Sequence, residues 1–126
     1  MKILHTADIH LRDVGDDRWS ALERVLAVGA EHRVALVAIS GDLFDRVEDV
    51  DNLKNPLREL FQKFNFSITI IPGNHDGDAI APGDFYGKNV TLLTAPGQYI
   101  DVEDARVFGL PFDARGGERT INNIFS

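Results

Sequence analysis

The sequence contains no cysteine. That excludes a disulfide framework and any thiolate metal site. Long apolar runs are missing too. The longest, around residues 34–39 and 68–71, are far too short to span a bilayer. The opening residues, Met1-Lys2-Ile3-Leu4-His5-Thr6-Ala7-Asp8, lack the apolar core of a signal peptide. No segment is of low complexity and none recurs, which excludes a solenoid. From these absences we expect a cytoplasmic protein with no membrane segment. Positive charge is scarce: 13 Lys and Arg stand against 20 Asp and Glu, a net charge of −7. The overall field of such a chain repels a polyanion, whereas nucleic-acid binders usually present a basic surface.

What remains is the composition of an ordinary globular domain, and 126 residues suffice for one. Ile3-Leu4 opens a short apolar segment that predicts a strand ending near Thr6. Trp19, Leu22, Val25, Leu26 and Gly29 then recur at helical spacing, with Asp16 or Asp17 placed to cap the helix. The helix should run to about Arg33. The run Ala35-Leu36-Val37-Ala38-Ile39-Ser40 is apolar throughout, as in a strand covered on both faces of a parallel sheet. Leu57, Leu60, Phe61 and Phe64 make a second helical stripe, with Pro56 expected at the helix start. Ser67-Ile68-Thr69-Ile70-Ile71 predicts a third strand, stopped by Pro72-Gly73. A short strand is expected at 90–93, and a hairpin at 98–102 and 105–110 around Glu103-Asp104. The tail from Asp113 has little periodicity.

Three polar clusters follow the three β-rich segments: Asp8-Ile9-His10, Gly41-Asp42 and Gly73-Asn74-His75-Asp76. The interval from Asp8 to Asp42 is 34 residues, and from Asp42 to Asn74 it is 32. Each is about one βαβ unit. Right-handed crossovers make the strands parallel, so their C-terminal ends lie side by side. Open α/β sheets bind ligands at that edge. Carboxylate, imidazole and amide oxygen suit Mn²⁺, Fe²⁺ or Zn²⁺. A carboxylate can bridge two cations, and Asp42, on the middle cluster, is the natural candidate. Two such ions about 3.5–4 Å apart can clamp both oxygens of an in-line phosphoryl displacement. Gly41 and Gly73 allow the backbone to turn off a strand end.

These clusters, in this order, resemble the motif series of the calcineurin-like metallophosphoesterase superfamily. The longer words narrow the resemblance. Leu4-His5-Thr6-Ala7-Asp8-Ile9-His10-Leu11, Gly41-Asp42-Leu43-Phe44-Asp45-Arg46 and Ile71-Pro72-Gly73-Asn74-His75-Asp76 are similar to SbcD-type nuclease subunits of double-strand-break repair complexes. Val107-Phe108-Gly109-Leu110-Pro111-Phe112 is similar to a later strand of that family. The resemblance implies an α/β fold: the N-terminal part of a metallophosphoesterase β-sandwich with flanking helices, βαβαβ followed by a β-hairpin. It implies two divalent metal ions, Mn²⁺ foremost. Asp8 and His10 would bind the first ion, Asp42 would bridge, and Asn74 would bind the second. His75 would contact the substrate phosphate and assist the leaving group, with Asp76 orienting it by hydrogen bonding.

The sequence departs from the family pattern in one respect. The family completes its site with later histidines, and no histidine follows His75. Residues 1–126 are therefore expected to be one metallophosphoesterase domain truncated at its C-terminus. Alone, such a chain should bind metal weakly, turn over little, and self-associate through an unpaired sheet edge.

The leading expectation is a metal-dependent phosphodiesterase acting on DNA, with an SMC-type ATPase subunit as partner. Small or protein phosphates are the alternative substrates, which the acidic balance favours. A non-enzymatic interaction module is the other alternative. Plainer roles are expected elsewhere: Trp19 in the core, His5 in a strand, His32 at a helix end, and Arg12 and Arg46 as solvated charges or phosphate-steering groups. Asp45 is open between a turn role and an acceptor beside the metal ligands.

Overall fold

The structure is a computed structural model, and it describes residues 1–73 and 79–111. Strands and helices alternate along it as far as the third strand, and three further strands follow. Strand β1 is Ile3–Ala7, helix α1 Asp17–Glu31, β2 Leu36–Ser40, helix α2 Val50–Phe61 and β3 Ser67–Ile71. Strands β4 (Val90–Leu92), β5 (Tyr99–Val102) and β6 (Ala105–Phe108) follow. The first four form a wholly parallel sheet in the order β1-β2-β3-β4, while β5 and β6 form an antiparallel pair. No helix among the described residues is long and apolar enough to cross a membrane.

The core follows from strand alternation. Val37 and Ile39 on β2 and Ile68 and Ile70 on β3 share one face, by register and by period. They pack with Leu22 and Leu26 of α1 and with Leu53, Leu57 and Phe61 of α2. On the opposite face of β2 Leu36 is buried as well, while Ala38 and Ser40 are half-buried, so the strand is covered fully on one side and in part on the other. That is why its sequence is continuously apolar rather than alternating.

Helix α1 starts where Asp16 accepts a hydrogen bond from the Trp19 N–H at 2.8 Å. This satisfies one of the free donors of the first turn. The helix ends at His32, followed by Arg33 in the left-handed region at φ 53°. The Arg33 N–H donates to the Ala30 carbonyl and the Val34 N–H to that of Gly29. This is a Schellman motif with arginine in the position glycine usually fills.

Helix α2 corrects one sequence expectation. It begins at Val50, not at Pro56, and Pro56 lies inside it. A short 3-10 turn, Val47–Asp49, leads into it. Proline in a helix interior forfeits a hydrogen bond and costs about 3 kcal/mol. Here Val50 and Leu53 extend the buried stripe of Leu57, Leu60 and Phe61 about two turns earlier. Their burial, roughly 1.5–3 kcal/mol each, outweighs the proline penalty. The helix ends at Phe61, so Phe64, expected on its stripe, lies beyond it and packs against the core from the following loop. The remaining boundaries differ from the sequence reading by a residue or two at element ends, where fraying is usual.

Candidate metal centre

Register sets the geometry of the site. Ala7, Ser40 and Ile71 are cross-strand partners, so the loops after β1, β2 and β3 leave the sheet at one level. Beyond the strands the first two loops stay zipped together. The Asp8 N–H donates to the Gly41 carbonyl at 3.1 Å, His10 N–H to that of Asp42 at 2.9 Å and Leu11 N–H to that of Leu43 at 2.8 Å. The Asp45 N–H returns a bond to the Leu11 carbonyl at 3.0 Å. Leu11, Leu43 and Phe44 are fully buried and pin both loops from below. The alternation in Asp8-Ile9-His10-Leu11 thus sends polar side chains to one side and apolar ones into the core.

Side chains of Asp8, His10 and Asp42 converge, each offering one donor atom within 4.8 Å of the other two. A divalent ion sits about 2.0–2.2 Å from oxygen and nitrogen donors, so donors across it are up to about 4.4 Å apart. The three donor atoms, all within 4.8 Å of one another, lie on this scale. Two carboxylates and an imidazole are a donor set suited to Mn²⁺, Fe²⁺ or Zn²⁺. The residues present therefore fit a divalent cation.

The backbone carries a second sign of a built site. Asp8, His10 and Asp42 all lie in the left-handed region, at φ 57°, 53° and 53°. Asp and His are among the residues that tolerate it best, yet each such position still costs about 1–2 kcal/mol. Such strain collects at functional sites, held there by surrounding structure. Here the zipped loops supply the restraint.

Gly41, at φ 78°, makes the turn expected of it. Gly73 is needed for space. A Cβ there would lie 2.6 Å from the Asp42 nitrogen, 2.6 Å from Gly41 Cα and 2.7 Å from Asp42 Oδ1. The loop after β3 therefore lies directly on the Asp42 loop. Sequence reading assigned Gly73 to a turn and did not foresee this approach. A cleft of about 560 Å³ opens beside it, lined by Ser40, Gly41, Asp42, Ile71, Pro72, Gly73, Phe108 and Leu110. Asn74, His75 and Asp76, the other sequence-predicted site residues, lie outside the described residues.

Asp45 has the role left open in the sequence. Its Oδ1 lies 3.4 Å from His10 Nδ1, while Oδ2 accepts from Arg12 Nε. Arg18 NH1 lies 3.8 Å from Oδ1 and donates to the His10 carbonyl at 3.0 Å. The hydrogen bond from Arg12 holds the Asp45 carboxyl below the ordinary carboxylate range. Arg12 is thus an ion-pair partner. Nothing in the sequence pointed to Arg18, which sits in the first turn of α1, eight residues after His10. Arg46 pairs with the mostly buried Asp49 at 2.8 Å. His5 is exposed on the edge strand β1, Trp19 is buried, and His32 caps α1 as expected.

Fold and site together define an α/β protein with a candidate divalent-cation centre at the C-terminal edge of its parallel sheet. The chain belongs to the calcineurin-like phosphoesterase family, whose model matches residues 1–124. No curated protein matches the sequence. Among solved structures, the fold is similar to the crystal structure of Pseudomonas putida nuclease MPE, with a TM-score of 0.51 at 20% identity. The match covers 81% of this chain and 50% of that one, so the chain spans about half that nuclease's length.

Proposed function

We propose that this chain is the N-terminal part of a two-metal phosphodiesterase acting on DNA, as an exonuclease or endonuclease of the SbcD type. One observation carries the reading. Asp8, His10 and Asp42 converge at the carboxyl edge of the sheet, in a chain of the phosphoesterase family. In this reading Asp8 and His10 hold one ion, Asp42 lies between two, and Asn74 holds the second through its amide oxygen. The central position of β2 and the approach of Gly73 to Asp42 favour the bridging role. Bound Mn²⁺, with Fe²⁺ or Zn²⁺ as alternatives, would supply charge stabilisation to an in-line phosphoryl displacement. His75 would donate a proton to the departing sugar oxygen, and Asp76 would orient its ring. The choice of DNA rests on the words around the motifs and on the nuclease neighbour. An SMC-type ATPase partner and a cytoplasmic location belong to the same reading.

The test is Mn²⁺-dependent hydrolysis of a phosphodiester by the full protein. Asp42→Asn should lower it at least 100-fold, because a neutral amide cannot balance two cations. Full activity in that variant would refute the two-metal role. The net charge of −7 favours a second reading, in which the substrate is a small phosphodiester or a protein phosphate. Comparing kcat/KM on oligonucleotides and on mononucleotide esters separates the two.

A further inference from the structure

This inference rests on the proposed role of His10 as a metal ligand. We infer that Asp45 is the positioning residue for His10, selecting the tautomer that carries its proton on Nδ1 and leaves the Nε2 lone pair for the ion. The two residues are 35 apart in sequence and belong to different loops. The backbone zipper joins them, with the Asp45 N–H bound to the Leu11 carbonyl. Arg12 holds the carboxylate through Oδ2, which leaves Oδ1 facing His10 Nδ1 at 3.4 Å, an ion-pair distance rather than a formed hydrogen bond. Arg18 approaches the same Oδ1 and also fixes the His10 carbonyl. Both the ring and the strained backbone of His10 are thereby held from one side.

The choice of tautomer follows from donor counting. A neutral imidazole has one N–H and one lone pair, and an ionised carboxylate only accepts. The nitrogen facing Asp45 is therefore the N–H. The other tautomer would aim a lone pair at an anion and leave no free pair on Nε2. The two arginines have a further effect. Without them Asp45 would add a third negative charge beside Asp8 and Asp42. Paired with them, it can orient His10 at little electrostatic cost to the centre.

The experiment needs no turnover. Two-bond ¹⁵N–¹H correlation spectra of the metal-free full chain, labelled on histidine, report the His10 tautomer at a pH where the ring is neutral. A His10→Gln sample assigns the signal. The wild-type protein should show the Nδ1–H form. Asp45→Asn, whose amide can either accept or donate, should give mixed tautomers and bind Mn²⁺ about 10–100-fold more weakly in calorimetry. An Nε2–H ring in the wild-type protein overturns the proposal. So does Asp45→Asn with unchanged tautomer and unchanged Mn²⁺ affinity. If that variant fails to fold, the wild-type spectrum alone decides. Asp42→Asn is the control: if it binds Mn²⁺ like wild type, the metal-site reading fails, while the spectra still decide the Asp45–His10 contact.

Discussion

At the scale of single residues, the site is marked by backbone cost as well as by side-chain chemistry. Asp8, His10 and Asp42 are three of the five non-glycine residues at positive φ among the described residues. A loop shaped only for stability would place glycine or asparagine at such positions. Carboxylate and imidazole are retained where they strain the chain, which argues for a chemical role. Gly73 is the opposite case, a residue defined by the side chain it lacks. Gly73→Ala should destabilise the protein by about 1–3 kcal/mol, because backbone lies within contact distance of the new methyl. It should also weaken Mn²⁺ binding by displacing Asp42. Urea denaturation and a Mn²⁺ titration check the two parts, and a variant of wild-type stability would contradict the close approach.

At the scale of elements, the helices show two ways in which local preference is overruled. Helix α2 runs through Pro56 because the apolar stripe on either side of it is continuous. Helix α1 ends in a left-handed arginine. Arg33→Gly should stabilise the protein by about 1 kcal/mol, since glycine takes φ 53° without the Cβ clash. The gain is partly offset by the freer unfolded chain. Chemical denaturation measures it, and a loss of stability would mean that the Arg33 side chain contributes contacts worth more than the strain. The zipped loops after β1 and β2 are the third element of note. Their main-chain bonds extend the parallel ladder past the sheet and hold Asp8, His10 and Asp42 in register with one another.

At the scale of the whole molecule, charge and fold point in different directions. A chain of net charge −7 has little attraction for DNA in the absence of cations. If the phosphodiester reading holds, bound metal must provide the local positive charge. Fluorescence anisotropy with a labelled oligonucleotide should show negligible binding in EDTA and measurable binding in Mn²⁺. Equal binding in both conditions would argue for a basic surface elsewhere in the protein. Asp8→Asn should shift the Mn²⁺ requirement to higher concentration in the same assay.

The sequence by itself determined the βαβαβ order, the apolar central strand, a capping aspartate at position 16 or 17, and the polar clusters that follow β1 and β2. These are local matters. Periodicity, capping and apolar runs act over one element, and motif spacing of about thirty residues reflects one crossover. Tertiary structure alone decided the rest: the start of α2 upstream of its proline, the space requirement at Gly73, and the pairing of Asp45 with His10, Arg12 and Arg18. Each depends on which segments lie against each other. A proline penalty yields only to burial against a sheet, a missing Cβ matters only where another backbone arrives, and a carboxylate orients a histidine 35 residues away only after two loops have been zipped together.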